Sequence, residues 1–296
     1  MSQNNQQKRV TTMPTKRSKK SSSSREPSRL TSSNYYDDKN YMDVSSFKPF
    51  LECEAAGLAA YKGEYQLFTD DKPLLVGNYI HSYFESKESH QSFLDKNKKK
   101  IFKWGNPDKG AKKEYLQADG MIKTLESEPL FMDLYGPGDK EVIVTGRLGD
   151  YSWKGKVDSL NLERGYFCDL KTVDDFHKKH WSADYHQPVN FAVDRGYFYQ
   201  IALYQELIYQ TFGKWCVPFI CAVSKQDPPD KDVFKFSGDE AKQLLDESLD
   251  TIETRQDHIF SVIAGEVPPY RCERCKWCRQ TKKLTGATDI MDIELD

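Results

Sequence analysis

Asp158, Asp169 and Lys171 lie in the stretch 154–172 at a spacing that can support chemistry. The stretch reads as two short strands joined at 161–165, where Asn161 and Gly165 supply turn residues between apolar runs. Side chains alternate along a strand, so Asp169 and Lys171 point the same way. Folding the pair about Glu163 and Arg164 brings Asp158 opposite Asp169, with Cβ atoms about 5 Å apart. Two carboxylates that close repel, and a divalent cation between them removes the conflict. Hard oxygen ligands suit Mg²⁺ or Mn²⁺, ions that keep waters and accept substrate phosphate. A lysine beside such an ion can orient the attacking water or steady charge developing on phosphorus. The implied reaction is phosphodiester hydrolysis. The competing reading is a solvated hairpin face with a cross-strand salt bridge. Against it, Cys168 and Leu170 would face a core beside Tyr166 and Phe167, which makes the strand central rather than exposed.

The surrounding elements must position this face. Residues 43–62 read as a helix capped by Ser45 or Ser46, with Phe50, Cys53, Leu58 and Tyr61 on one side. A second helix spans 73–95, with Pro73 in its first turn and His81 beside an apolar face. His81 there is either a partly buried structural residue or a metal ligand. A third helix covers 110–131, and 141–145 reads as a strand leading into the hairpin. Lys154 and Lys156 flank the acidic face and could hold phosphates, or be ordinary solvated strand lysines. A long helix over 184–212 ends at Gly213. Its Gln200 and Tyr204 are surface neighbours at i and i+4, suited to a substrate phosphate or to a core border. Residues 215–224 form a strand buried on both faces, 233–236 a short strand and 238–264 an amphipathic helix. Helices flanking a mixed central sheet make an α/β or α+β domain.

The chain of 296 residues is 38% hydrophobic and 13% aromatic, enough for one large domain. It has no apolar run long enough for a membrane span and no signal-peptide core, so a cytoplasmic location without membrane partners is expected. The net charge of −2 is uneven. The segment before Tyr35 holds eight Lys and Arg against Glu26, a net of +7, leaving −9 for the remainder. Residues 1–40 read as a disordered basic tail, 41–285 as the folded domain and 286–296 as a flexible acidic end. Any DNA contact by the acidic body must be a local basic groove.

Seven cysteines in a reducing compartment suggest metal binding rather than disulfides. Cys272, Cys275 and Cys278 form a Cys-x₂-Cys-x₂-Cys run, with Cys53 the best fourth ligand for Zn²⁺ or a [4Fe–4S] cluster. Such a set would clip the start of the folded body to its end. Arg271, Arg274, Lys276 and Arg279 around it also fit a DNA-phosphate patch.

Taken in order, His81, Gly155–Asp158, Asp169–Thr172 and Gln200–Tyr204 resemble the motifs of the RecB-like branch of the PD-(D/E)XK nuclease superfamily. Residues 50–56, 77–81, 222–225 and the cysteine run further resemble phage-encoded exodeoxyribonuclease VIII-like proteins. The resemblance covers about residues 43–285. It implies a restriction-endonuclease-like core and a DNA exonuclease working with two Mg²⁺ or Mn²⁺ ions. By that resemblance His81, Asp158 and Asp169 bind metal, Lys171 assists the water, and Gln200 and Tyr204 contact or position DNA. It further implies an iron–sulfur staple, a single-strand annealing recombinase as partner and possible homo-oligomers. Two departures stand out: the last gap of the cysteine run is tight, and the acid two before Lys171 is Asp rather than the commoner Glu. A non-catalytic DNA-binding protein and an endonuclease on the same core are the alternatives.

Overall fold

A computed structural model describes residues 30–67, 70–182, 186–287 and 289–292. The part of the basic tail at 1–29 lies outside the described residues. A five-stranded sheet of order β1-β2-β3-β6-β7 forms the centre. It is built from β1 (Asp139–Leu148), β2 (Tyr151–Asn161), β3 (Tyr166–Val173), β6 (Val217–Ser224) and β7 (Lys231–Lys235). Only β3 and β6 run parallel; the other neighbours are antiparallel, so the sheet is mixed as expected. A two-stranded ribbon, β4 (His180–Ser182) with β5 (Gln187–Val189), stands apart.

Helices cover both faces. One apolar cluster joins Val144, Val157, Phe167 and Ile220 to α1 (Val44–Glu52), α9 (Tyr197–Phe212) and α10 (Asp239–Ala264). The other joins Cys168, Leu170, Cys221 and Val223 to α3 (Lys72–Glu85), α6 (Lys113–Glu126) and α7 (Pro129–Tyr135). The alternation inferred for β3 therefore holds: Cys168 and Leu170 enter one core, leaving Asp169 and Lys171 to the opposite face.

Several boundaries differ from the sequence reading for local reasons. Asp43, not Ser45 or Ser46, caps α1 by accepting the Ser46 N–H at 2.9 Å. Extended backbone at Cys53 ends α1, and α2 (Glu54–Tyr61) begins after it, so 43–62 is two helices. Extended Ser86 likewise separates α3 from α4 (Lys87–Lys96), and its hydroxyl caps α4. α5 (Lys98–Ile101) follows. The helix expected over 184–212 starts only at Tyr197, after β5 and the short α8 (Phe191–Asp194). Gly196, at φ +59°, turns the chain between α8 and α9. A final helix, α11 (Lys276–Thr281), carries Cys278.

Residues 30–40, assigned by composition to the tail, run as turns against the sheet, and Tyr35 is only 6% exposed. Lys154 explains the attachment. Its ammonium donates to the backbone carbonyls of Tyr35 and Asp38, at 2.5 and 2.8 Å, and lies 4.8 Å from the Tyr35 ring centre.

Candidate active site and cysteine centre

The β2–β3 hairpin is a fork. Its ladder extends only from Asn161↔Tyr166 to Ser159↔Cys168. At the next position the Asp158 carboxylate replaces a ladder acceptor: Oδ2 takes the Leu170 N–H at 2.7 Å. Beyond that point β2 leaves β3, keeps β1 on one side and bridges Met42 at Trp153 on the other, and α9 packs against β1 and β2. Gly155 permits the close approach, since a Cβ there would meet the Tyr204 ring at 2.6 Å.

The acidic face forms in this fork. His81, on α3, places Nδ1 3.5 Å from Asp158 Oδ2. Lys171 Nζ lies 2.7 Å from Asp169 Oδ2 and donates to Gln200 Oε1 at 3.0 Å. Gln200 Nε2 donates to Asp169 Oδ1 at 3.0 Å and to the Tyr204 hydroxyl at 3.1 Å. Asp169, at 1% exposure, still has no hydrogen bond to Oδ2, because the lysine sits off the hydrogen-bond direction. The i, i+4 pair thus does both things read from its spacing: Gln200 hydrogen-bonds the Asp169–Lys171 pair, while Tyr204, 9% exposed, belongs to the apolar cluster.

The fork also holds a carboxylate that the strand spacing around Asp158 and Asp169 does not single out. Glu141 on β1 brings a carboxylate into a donor set with His81 and Asp158, all within 4.8 Å of one another. The flanking pairs Lys140↔Ser159 and Val142↔Val157 put Glu141 across from Asp158. Its φ of +54° is a strained conformation for a non-glycine residue. The signal was present in the sequence: a turn at Gly149-Asp150 sets this register, just as Glu163-Arg164 sets the next. Asp169 is outside that three-residue set, its carboxylate drawn toward Lys171 and Gln200.

Burial and charge act against each other here. Burial pushes the Asp169 carboxyl up to about 6, and repulsion from Asp158 adds to this against the pull of Lys171. Burial also raises Asp158, but His81, Lys171 and the Leu170 N–H outweigh it and hold its pKa low. Burial disfavours imidazolium at His81, yet the Asp158 charge dominates and raises its pKa. Burial and the Asp158 charge raise Glu141 despite its 2.5 Å pair with Lys156.

An open cleft of about 520 Å³ exposes the face, lined by His81, Glu141, Lys156, Asp158, Lys171 and Gln200 among others. Lys156 therefore lies where it could meet a phosphate. Lys154 does not. At 3% exposure its ammonium anchors residues 35–38, so its assignment to DNA is corrected to a structural role.

Cys53, Cys272, Cys275 and Cys278 converge elsewhere, their sulfurs within 4.8 Å of one another. Cys53 Sγ is 3.5 Å from Cys278 Sγ. The backbone N–H groups of Cys275 and Cys278 donate to the sulfurs of Cys272 and Cys275 at 3.3 and 3.4 Å, the folded-back turn expected of a thiolate loop. Buried Glu54 supports it, accepting the Tyr270 N–H at 2.8 Å and pairing with His258 at 2.9 Å. Cys168, Cys216 and Cys221 are buried in or beside the sheet and take no part. Arg274 is exposed on the loop, and its carbonyl accepts from Arg279.

The family model for a PDDEXK-like domain of unknown function (DUF3799) matches residues 43–281. The chain belongs to this family. A solved structure from Eubacterium rectale, described as "Putative exonuclease", is 34% identical over 90% of this chain and 98% of its own, with a TM-score of 0.77. A second, SSO0001, is 15% identical over 74% and 94%, with a TM-score of 0.24, too low to bear on the fold. No curated protein sequence matches. The mixed sheet, the acidic fork and the family together give this PDDEXK-like chain a nuclease fold. No helix among the described residues is long and apolar enough to cross a membrane.

Proposed function

We propose that this PDDEXK-like protein is a divalent-metal-dependent deoxyribonuclease that hydrolyses phosphodiester bonds at DNA ends. The observation that carries the reading is the joining, in one cleft, of the His81–Glu141–Asp158 donor set to the Asp169–Lys171–Gln200 chain. The donors fit a hard cation: one imidazole, carboxylate oxygens and a buried Asp169 oxygen without a hydrogen bond. Mg²⁺ or Mn²⁺, when bound, supplies positive charge to the scissile phosphate and acidifies water. His81, Glu141, Asp158 and Asp169 would hold it. Lys171 positions the attacking water and balances charge on the phosphoryl oxygens. Gln200 holds the lysine on target, and Tyr204 fixes Gln200 from the next turn. Lys156 offers a cation at the cleft wall.

Action at ends is supported by the resemblance to exodeoxyribonuclease VIII-like proteins and by the description of the Eubacterium rectale neighbour. The same resemblance supports work in recombination, in the cytoplasm, with a single-strand annealing recombinase and possible self-association. End-labelled linear duplex and a covalently closed circle, incubated with Mg²⁺ or with EDTA, test the reading. Mg²⁺-dependent loss of the linear DNA alone is expected. Cutting of the circle would make the enzyme an endonuclease, and no change to either DNA with Mg²⁺ or Mn²⁺ would remove catalysis.

For the cysteine centre, four thiolates around one Zn²⁺ at about 2.3 Å stand about 3.8 Å apart. The 3.5 Å Cys53–Cys278 separation fits that size. A [4Fe–4S] cluster would require the thiols to spread. Zinc is therefore the reading the sulfur spacing supports.

The metal also sets a pH dependence. The folded pKa of Asp169, about 6, is above the ordinary carboxyl value near 3.9. Its contribution to stability is present below the unfolded value and is lost as pH rises through about 6. Above that pH the metal-free protein carries an ionised, buried carboxylate that a cation relieves, while below it protons on Asp169 and His81 compete with the cation. Mn²⁺ should therefore raise the melting temperature more at pH 7.5 than at pH 5.5. Equal shifts in thermal melts at the two pH values would contradict this.

A further inference from the structure

Residues 96–113 hold eight lysines against one acid, Asp108, a net of +7 in a chain of net −2. They form a closed knuckle between α4 and α6. Ile101 is buried beneath it. Lys103 N–H donates to the Gly110 carbonyl at 3.0 Å, Lys112 N–H donates to the Ile101 carbonyl at 2.9 Å, and Phe102 bridges Ala111. The Asn106 side chain accepts the Asp108 N–H at 3.0 Å and fixes the loop beyond.

Trp104 stands at the tip, 86% exposed. Its φ is +53°, the left-handed region that a bulky residue avoids. Burial explains neither the exposure nor the strain. Lys98, Lys100 and Lys112 have local partners in Asp95, Asp71 and the Lys99 carbonyl. Lys96, Lys99, Lys103, Lys109 and Lys113 have no acidic partner among the described residues. Lys96, at the start of this segment, also lines the acidic cleft and joins the two features. A flat aromatic face among unneutralised ammonium groups suits unpaired nucleic acid, in which bases stack and phosphates need cations.

We propose that this knuckle is a binding platform for single-stranded DNA. Trp104 stacks on an unpaired base, and Lys99, Lys103 and Lys109 hold the flanking phosphates of a strand that runs along the cleft wall. Only the strand's destination rests on the nuclease reading; the binding does not.

Anisotropy of a labelled oligonucleotide, with the full-length protein in EDTA, tests it. Trp104→Ala should weaken single-strand binding about tenfold with an unchanged salt slope, and Trp104→Phe should restore most of it. Lys99, Lys103 and Lys109 changed together to Glu should lower the slope of log affinity against log salt by about 2. Both sets are exposed, and thermal melts should match wild type. Affinity of Trp104→Ala within twofold of wild type, or no single-strand binding by wild type, would overturn the platform. So would an equal effect of Trp104→Ala on binding to polyglutamate, which has charge but no bases. Hydrolysis of bis(p-nitrophenyl) phosphate with Mn²⁺ reads the acidic site, because Lys99, Lys103, Trp104 and Lys109 do not line the cleft that a small diester enters. Its absence with Trp104-dependent binding intact would fail the nuclease reading only. Hydrolysis with Trp104-independent binding would fail the platform only.

Discussion

Lys171→Ala lowers Mg²⁺-dependent DNA hydrolysis about 10³-fold while Mn²⁺ binding persists; Asp158→Asn loses both. The two expectations separate because the side chains occupy different parts of the fork. Lys171 contacts Asp169 and Gln200, and in the proposed reaction its ammonium would supply charge at the reacting centre. Removal of one positioned charge or proton-transfer group costs about 10²–10⁴ in rate. Asp158 touches His81 and shares the compact donor set with Glu141, so its amide leaves the cation with a poorer site. Asparagine keeps an oxygen for the Leu170 N–H, so the fork should remain folded. Lys171→Ala carries a separate folding cost. It leaves Asp169, at 1% exposure, without its counter-charge, a situation worth about 3–5 kcal/mol when a buried pair is broken. Protonation of Asp169 relieves part of that cost, since its carboxyl already titrates near 6. The variant should thus melt closest to wild type at low pH or with Mn²⁺ present. Single-turnover cleavage, calorimetric Mn²⁺ binding and melts at pH 5.5 and 7.5 check the set. A Lys171→Ala protein that binds Mn²⁺ and cleaves at the wild-type rate would remove the lysine from the mechanism.

What sequence could show of this site follows from the range of each interaction. Asp158, Asp169 and Lys171 were legible because two short-range rules place them: alternation within β3 and register across the four-residue turn 162–165. Gln200 and Tyr204 followed from helical spacing, and their hydrogen bonds to each other and to the Asp169–Lys171 pair match that geometry. Glu141 needed the same register step taken once more, through the Gly149-Asp150 turn. Lys154 could not be read this way. Its partners are carbonyls at Tyr35 and Asp38, more than a hundred residues upstream, in a segment whose composition resembles the tail. Composition reports where a long apolar core cannot form; it does not report that one tyrosine and two carbonyls can anchor a turn on a buried lysine. The helix break at Cys53 has a similar origin. Helical periodicity continues through 43–62, but Cys53 adopts extended backbone where its sulfur meets the Cys278 loop, 225 residues away.

Cys53→Ser should empty the cysteine centre and lower the melting temperature by about 10 °C, whereas Cys216→Ala should keep the metal. A thiolate set gathered from 53 and 272–278 exists only in the folded chain, so the free energy of metal binding acts as folding free energy. The centre ties α2 to the C-terminal loop and α11, and the backbone reinforces it: Ala55 N–H donates to the Tyr270 carbonyl at 2.9 Å. Loss of one ligand leaves three thiols and Glu54 to hold that junction. A loss of about 4 kcal/mol corresponds to roughly 10 °C for a domain near this size. Cys216 is equally buried but lies in the sheet-side core, outside the sulfur set, so its truncation should cost packing and no metal. Metal analysis of anaerobically purified protein, read with the visible spectrum, decides occupancy and identity together. One zinc per chain without visible colour is expected for wild type, and little or none for Cys53→Ser. Four irons per chain with absorbance near 400 nm would overturn zinc while leaving the ligand set in place. Full metal in Cys53→Ser would overturn the ligand set itself. Because α1 and α2 meet at Cys53, and α1 packs Phe47 and Phe50 against the same core as α9, a metal held there would also steady the helix that carries Gln200. Cleavage by Cys53→Ser should therefore fall with temperature sooner than its residual fold does, a divergence visible when activity and ellipticity are followed in one heating series.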